Sequence, residues 1–428
     1  MHILIAAQAW AHPGHDLQSA NLVNFEFARV FREFGWRVTF VCTYWNDRIP
    51  SADIEAGARA ALAQIGVDVE EPIVLNRPSS HPGRLASLIG SNTSIFFPEA
   101  SFRELANERV RKLRPDVVFV PWSEMATQLF ADAPGLRVAY YGNPDPKNWR
   151  LNGLPPVAPS RGAVRDMLAR LRLDNLERIH LREMKKYNLF GDVALNDVEY
   201  YRSHGLPDAF YSRMVYLDRF QGAWEEPRDR LEPGDKTIVV ANIGSQAATG
   251  NMLAMDYLAD RVAEPMKRAF AGARYEIHLY GGGKLRPDIK EKLSRPEIKN
   301  HGFVQDIDGA ILGSQVFLCL NNATAYKVNQ SRYLHAWSLG ACVVAHRDAA
   351  LSLPEMVHDE NALLGDSADE IAELVVQAAD DKALRRRLGR AGYETYAGQF
   401  TAKSVVADLV ARMQSALDRR DSLAHADK

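Results

Sequence analysis

Lys327 and Arg332 stand close together in a polar loop, just ahead of a run that reads as a helix. The first turn of a helix carries orphan N–H groups and partial positive charge, so two cations beside it can hold a diphosphate without a metal. A solvated loop edge is the plain alternative for both side chains. Gly281-Gly282-Gly283 follows an apolar run; such a turn lets a phosphate approach the backbone, or simply reverses the chain. Near the N-terminus His12, Gly14, His15 and Asp16 share one loop. His-x2-His-Asp has no second cluster to complete a tetrahedral set, so no metal site is expected there. Asn143-Pro144-Asp145 follows another apolar run, and its chemistry is that of a turn, with Asn143 or Asp145 a candidate contact. No pair of carboxylates stands out as acid and base, and no catalytic residue is named.

The elements that must position these groups alternate between strand and helix. Residues 2–7, 37–42, 117–120, 137–141, 192–195 and 214–217 are short, β-branched and non-alternating, as buried parallel strands are. Phe27, Val30, Phe31 and Phe34 form one stripe at helical spacing, closed by Gly35, and residues 155–190 read as one or two helices. Residues 218–236 carry many charges and two prolines and read as a linker. The pattern then restarts: strands at 237–242, 275–280, 316–320 and 342–345, and a helix near 252–270. Ser367-Ala368-Asp369-Glu370 has capping-box spacing ahead of an apolar helical stripe. Two doubly wound α/β halves follow, 1–217 and 237–400. Such sheets bind ligands at the carboxyl ends of their strands, which points to the loops at 8–16, 142–147, 243–251, 281–286 and 321–332. The first strand lacks the GxGxxG that a dinucleotide fold needs.

The order of segments in the second half resembles the donor-binding half of GT-B glycosyltransferases of the retaining family 4, "group 1". The segments are Gly281–Gly283, His301-Gly302-Phe303-Val304-Gln305-Asp306, the strand Val316–Leu320, and the helix–strand unit Arg332–Ala345. Asp380-Asp381-Lys382 and Phe400-Thr401 before a last helix are similar to that family's end. The first half matches more loosely. The resemblance implies two Rossmann-like domains with a cleft between them, and a helix at about 401–417 returning to the first. It implies a sugar moved from a UDP- or GDP-linked donor in the second domain to a glycan, lipid-linked or protein acceptor in the first, with no cofactor. Gly244, Ser245, Asn251, Gly281, Gly282, Val304, Lys327, Arg332 and His335 would then contact the donor, and His12, Gly14, His15, Asp16 and Asn143 the acceptor. The chain departs from the family at its Glu-x7-Glu pair: registered on Gly340, those positions hold Lys327 and His335. The cations that clamp the diphosphate in the family are missing from the loop 242–251, where Asn251 matches only a subset. A silent nucleotide-sugar-binding subunit and a 2-epimerase-like enzyme on the same fold are the rival readings.

Composition sets outer bounds. Over 428 residues, 52 Lys and Arg against 54 Asp and Glu leave a net charge of −2, which lacks the basic footprint of a nucleic-acid binder. Three scattered cysteines form no disulfide framework and suit a reducing compartment. No run is long enough to span a bilayer and no targeting segment is visible, so a cytoplasmic protein is expected, with contact at a membrane surface open.

Overall fold

The computed structural model describes residues 1–14, 19–76, 98–154, 160–217, 236–325, 327 and 331–426. The chain divides into two compact units, Met1–Val193 with Asp197–Val215 and Ala402–Lys428, and Ala194–Asn196 with Tyr216–Thr401.

The first unit is built on β1 (His2–Ala7), β2 (Arg37–Trp45), β3 (Asp68–Val69), β4 (Ile73–Leu75), β5 (Val117–Pro121), β6 (Leu136–Tyr141), β7 (Leu189–Asp192) and β8 (Phe210–Tyr211). Their order is β3-β2-β1-β5-β6-β7-β8, with β4 on β2, and every pair is parallel. Ile3 and Ile5 face one apolar cluster and Leu4 and Ala6 another, so both faces of β1 are covered and the run needs no polar alternation. The second unit carries β9 (Thr237–Asn242), β10 (Tyr275–Tyr280), β11 (Ile298–Gly302), β12 (Val316–Cys319), β13 (Val343–His346) and β14 (Leu363–Gly365), all parallel, in the order β11-β10-β9-β12-β13-β14. In each unit the strand order reverses about the first strand, β1 and β9, which is where doubly wound sheets open a crevice. The helix Ala402–Ala426 belongs to the first unit: Val405, Val406, Leu409 and Met413 join the apolar cluster of Phe27, Val30 and Phe31.

Several expectations need correction. Residues 214–217 form no strand, because their N–H groups are taken elsewhere: Val215 N–H donates to the Tyr140 hydroxyl and Tyr216 N–H to the Phe400 carbonyl. The strand expected at 192–195 ends at Asp192. Phe34 is 40% exposed, since the helix ends there, Gly35 turns with φ +80°, and Trp36 packs on Phe31 instead. The helix near 252–270 is interrupted: Thr249–Tyr257 passes into a π-helical turn at Leu258–Val262 before Ala263–Ala269, where Pro265 lacks the N–H a regular helix would use. Residues 216 and 217 group with the second unit, and the expected linker lies outside the described residues except for Lys236. Among the described residues no helix is long and apolar enough to cross a membrane.

Candidate functional site

In the second unit the carboxyl ends of β9, β10 and β12 are joined by asparagines. Asn242, the last residue of β9, donates through Nδ2 to the Tyr280 carbonyl at 2.7 Å. Asn251 donates to the Ser245 carbonyl at 2.8 Å, and Asn321, beyond β12, donates to Asn251 Oδ1 at 3.2 Å. All three side chains are buried. Gly244 and Gly281 have positive φ, and a Cβ on Gly281 would collide with the Gly244 carbonyl, so glycine is required for the two loops to touch. Gly281 N–H donates to the Gly302 carbonyl at 2.7 Å and Gln246 N–H to the Gly282 carbonyl at 2.8 Å.

Arg332 enters this frame from the first turn of the helix Ser331–Ser338. Its guanidinium donates to Asn321 Oδ1 at 2.9 Å, to Asn251 Oδ1, and at 3.5 Å to Asn242 Oδ1. All three acceptors are neutral amides, and among the described residues no carboxylate pairs with Arg332. The side chain is therefore fixed in place by neutral partners, with no described acid to neutralise it. The solvated-edge alternative does not describe it.

The other candidates are placed differently. Lys327 pairs with Asp348, so its charge is already met. His335 is buried, with Nε2 at 2.6 Å from Asp308 Oδ1 and its ring beside Tyr216. Each residue that the family register puts in place of an acid thus has an aspartate next to it. Val304 is half-buried beside the exposed Phe303. In the first unit His12 accepts from Gly14 N–H at 2.8 Å through Nδ1, closing its own turn. Asn143 sits at φ +62° and its amide is held by Asn148, a turn role. His15 and Asp16 lie outside the described residues.

Spacing did not reveal a buried relay behind β5 and β6. Tyr201 Oη lies 2.9 Å from His180 Nε2, His180 Nδ1 lies 2.7 Å from Glu124 Oε2, and Tyr141 Oη lies 2.7 Å from that same oxygen and 2.9 Å from Asp145 Oδ2. Burial pushes the Glu124 carboxyl up, but the facing His180 imidazolium and its hydrogen bonds outweigh this and hold it below the usual carboxylate range. Burial pulls His180 down, and Glu124 more than restores it. Burial, with the Glu124 charge added, raises Asp145 to about 7. The second unit thus offers a fixed cation at the carboxyl ends of its strands, and the first a half-buried acid raised to about 7, so that it titrates near neutrality.

The structure is similar to solved structures across nearly its whole length. That of HepE from Anabaena in complex with UDP-glucose matches with a TM-score of 0.61 at 13% identity, covering 96% of this chain and 99% of that one. The sucrose-phosphate synthase of Thermosynechococcus elongatus matches with 0.59 at 14%, covering 97% and 100%. The α,α-trehalose 6-phosphate synthase of Burkholderia multivorans matches with 0.61 at 12%, covering 99% and 98%. At these identities the likeness establishes the fold, two Rossmann-like units of GT-B type. A family model described as "Glycosyl transferase-like" matches residues 260–411. No curated protein matches the chain in sequence.

Proposed function

We propose that this chain is a glycosyltransferase that moves a hexosyl group from a UDP- or GDP-sugar to an acceptor, without a metal. The observation that carries the reading is Arg332: a cation fixed by three neutral amides, unpaired by any described acid, at the carboxyl ends of β9 and β12. When a glycosidic bond to a nucleoside diphosphate breaks, negative charge grows on the leaving phosphate, and a preorganised guanidinium stabilises it where it forms. Gly244, Ser245 and Asn251 beyond β9, Gly281 and Gly282 beyond β10, and Val304 beyond β11 are proposed to border the donor. Lys327 and His335 are proposed to act with Asp348 and Asp308, their partners, toward the sugar and the ribose. The matched family model and the fold shared with the UDP-glucose-bound HepE support the donor class, and the resemblance to family 4 supports retention of configuration. The same resemblance supports a role in glycan or glycoconjugate assembly and a cytoplasmic site of action, at a membrane surface where the acceptor is lipid-linked. The acceptor is assigned to the first unit, with His12, Gly14, His15, Asp16 and Asn143 near it.

Incubation with a panel of UDP- and GDP-sugars should release free nucleotide slowly. Arg332→Ala should weaken nucleoside diphosphate binding by about 1.5–3 kcal/mol and leave nucleoside binding unchanged, with Arg332→Lys recovering part of the loss. Because Asn321 and Asn251 lose a donor, the Ala variant should also lose about 1 kcal/mol of stability in a thermal melt. Unchanged diphosphate affinity in a folded Arg332→Ala protein would sink the reading. The missing Glu-x7-Glu acids favour a silent binding subunit as the second reading; tight nucleotide-sugar binding with no release in the panel would establish it.

A further inference from the structure

The helix Ala163–Met184 of the first unit uses its two halves differently. Every buried residue lies between Asn175 and Met184, and Leu176 and Ile179 pack with Trp149 and Leu173. Ahead of Asn175 no residue is buried: Val164 is 67% exposed, Met167 53%, Leu168 41% and Leu171 49%. These four stand at i, i+3, i+4 and i+7 and so form one stripe. Leu176, the first leucine that the fold buries here, lies about 140° round the helix from Leu171. Exposed apolar residues are ordinary one at a time, but a row of four that the core does not use marks a contact surface. Arg165 and Arg172 flank the stripe on one side and Arg170 on the other, with Arg161 just ahead of the helix. All four arginines are exposed, and none forms an ion pair among the described residues. The one acid on these turns, Asp166, accepts from the Ser160 hydroxyl at 2.6 Å and the Arg161 N–H at 3.1 Å. Further along, Asp174 and Glu177 are both met by Arg150. The stripe therefore lies in surplus positive charge.

A partner matching this face must take in aliphatic side chains and present negative charge at their margin. An anionic lipid surface does both: hydrocarbon lies beneath a layer of phosphate headgroups, and guanidiniums pair with phosphate. A second copy of this chain fits less well. It would set the same arginines face to face, and four side chains fall far short of the roughly 800 Å² per partner that a stable interface buries. We infer that the first half of this helix docks the chain on an anionic lipid surface. Val164, Met167, Leu168 and Leu171 enter the boundary between headgroups and acyl chains, and Arg165, Arg170 and Arg172 meet the headgroups. The inference deepens the membrane-surface part of the proposed function and rests on that part alone; donor chemistry does not enter it.

The test uses the full chain without nucleotide, sedimented with vesicles of phosphatidylcholine alone or of phosphatidylcholine and phosphatidylglycerol in equal parts. The chain should bind the anionic vesicles about tenfold more tightly or better, and added salt should weaken that binding. Met167→Ser combined with Leu171→Ser should weaken it about tenfold or more, and so should Arg165→Gln combined with Arg172→Gln. Because all four side chains are exposed, the thermal melt of both variants should match the parent. The three native cysteines are buried, so Met167→Cys can be labelled alone with an environment-sensitive dye. Its emission should shift to the blue on anionic vesicles. The same dye on Asp68→Cys, in the strand at the far edge of the sheet, should show no shift. Equal sedimentation with both kinds of vesicle, or undiminished binding by the double serine variant, overturns the inference. Self-association in light scattering that the serine variant abolishes, with no vesicle binding by the parent, overturns it in favour of a second copy. UDP affinity measured without vesicles keeps the two readings apart. Vesicle binding without UDP binding leaves the docking surface standing and removes the donor reading, and the converse removes only the docking surface.

Discussion

Tyr141 Oη sits between two carboxylates, and its one proton cannot serve both. Glu124 is already met by His180, so the extra proton belongs on Asp145, whose carboxyl is raised to about 7 by burial first and the Glu124 charge second. A raised folded-state value means that the stability from this group is complete below the ordinary carboxylate value near 4 and is lost as pH rises through about 7. Asp145→Asn, whose amide donates as the protonated carboxyl does, should remove that loss. Relative to the parent it should gain about 2–3 kcal/mol between about pH 5 and about pH 8 in urea unfolding; curves that stay parallel across the range would refute the assignment. Sequence reading passed over this relay because Glu124, Tyr141, Asp145, His180 and Tyr201 share no local spacing. Arg332 and Asn251 were legible as candidates, while Asn242 and Asn321, the other two amides that accept from the guanidinium, were not.

Whole elements were most legible where a local rule acts alone. Ser367 caps its helix as the spacing predicts, accepting from Glu370 N–H at 3.2 Å, while Glu370 reaches back to Asp366 N–H at 2.7 Å instead of to Ser367. The apolar stripe of the last helix was legible too, and its place in the first unit makes it part of that core. Leu409 is 1% exposed in the cluster of Phe27 and Phe31. Leu409→Ala should therefore cost about 2–5 kcal/mol, the range for a buried leucine, read as a lowered midpoint in chemical unfolding; a loss under about 1 kcal/mol would detach the helix from that core. Short edge strands were not legible. In β11 the residues Lys299, Asn300 and His301 are exposed and polar, so no hydrophobic pattern marks the strand, and only its pairing with β10 reveals it.

At the scale of the molecule the two sheets have matching order about β1 and β9, and the fixed cation stands at the strand ends of the second. If Arg332 meets the charge of the donor diphosphate, nucleotide affinity should be the same with and without EDTA in isothermal titration; an affinity that collapses on chelation and returns with magnesium or manganese would show that a metal carries that charge. By itself the sequence determined the alternation of strand and helix, the restart after residue 236 and the glycine turn at 281–283, because hydrophobic period and backbone freedom act over a few neighbouring residues. Only the tertiary structure decided which cation has no acid partner among the described residues. Lys327 and Arg332 look alike in the chain, yet folding sets Asp348 beside one and, around the other, Asn321 of its own loop with Asn242 and Asn251 from a distant one. Charge neutralisation depends on distance in space, and residues far apart in the chain supply it.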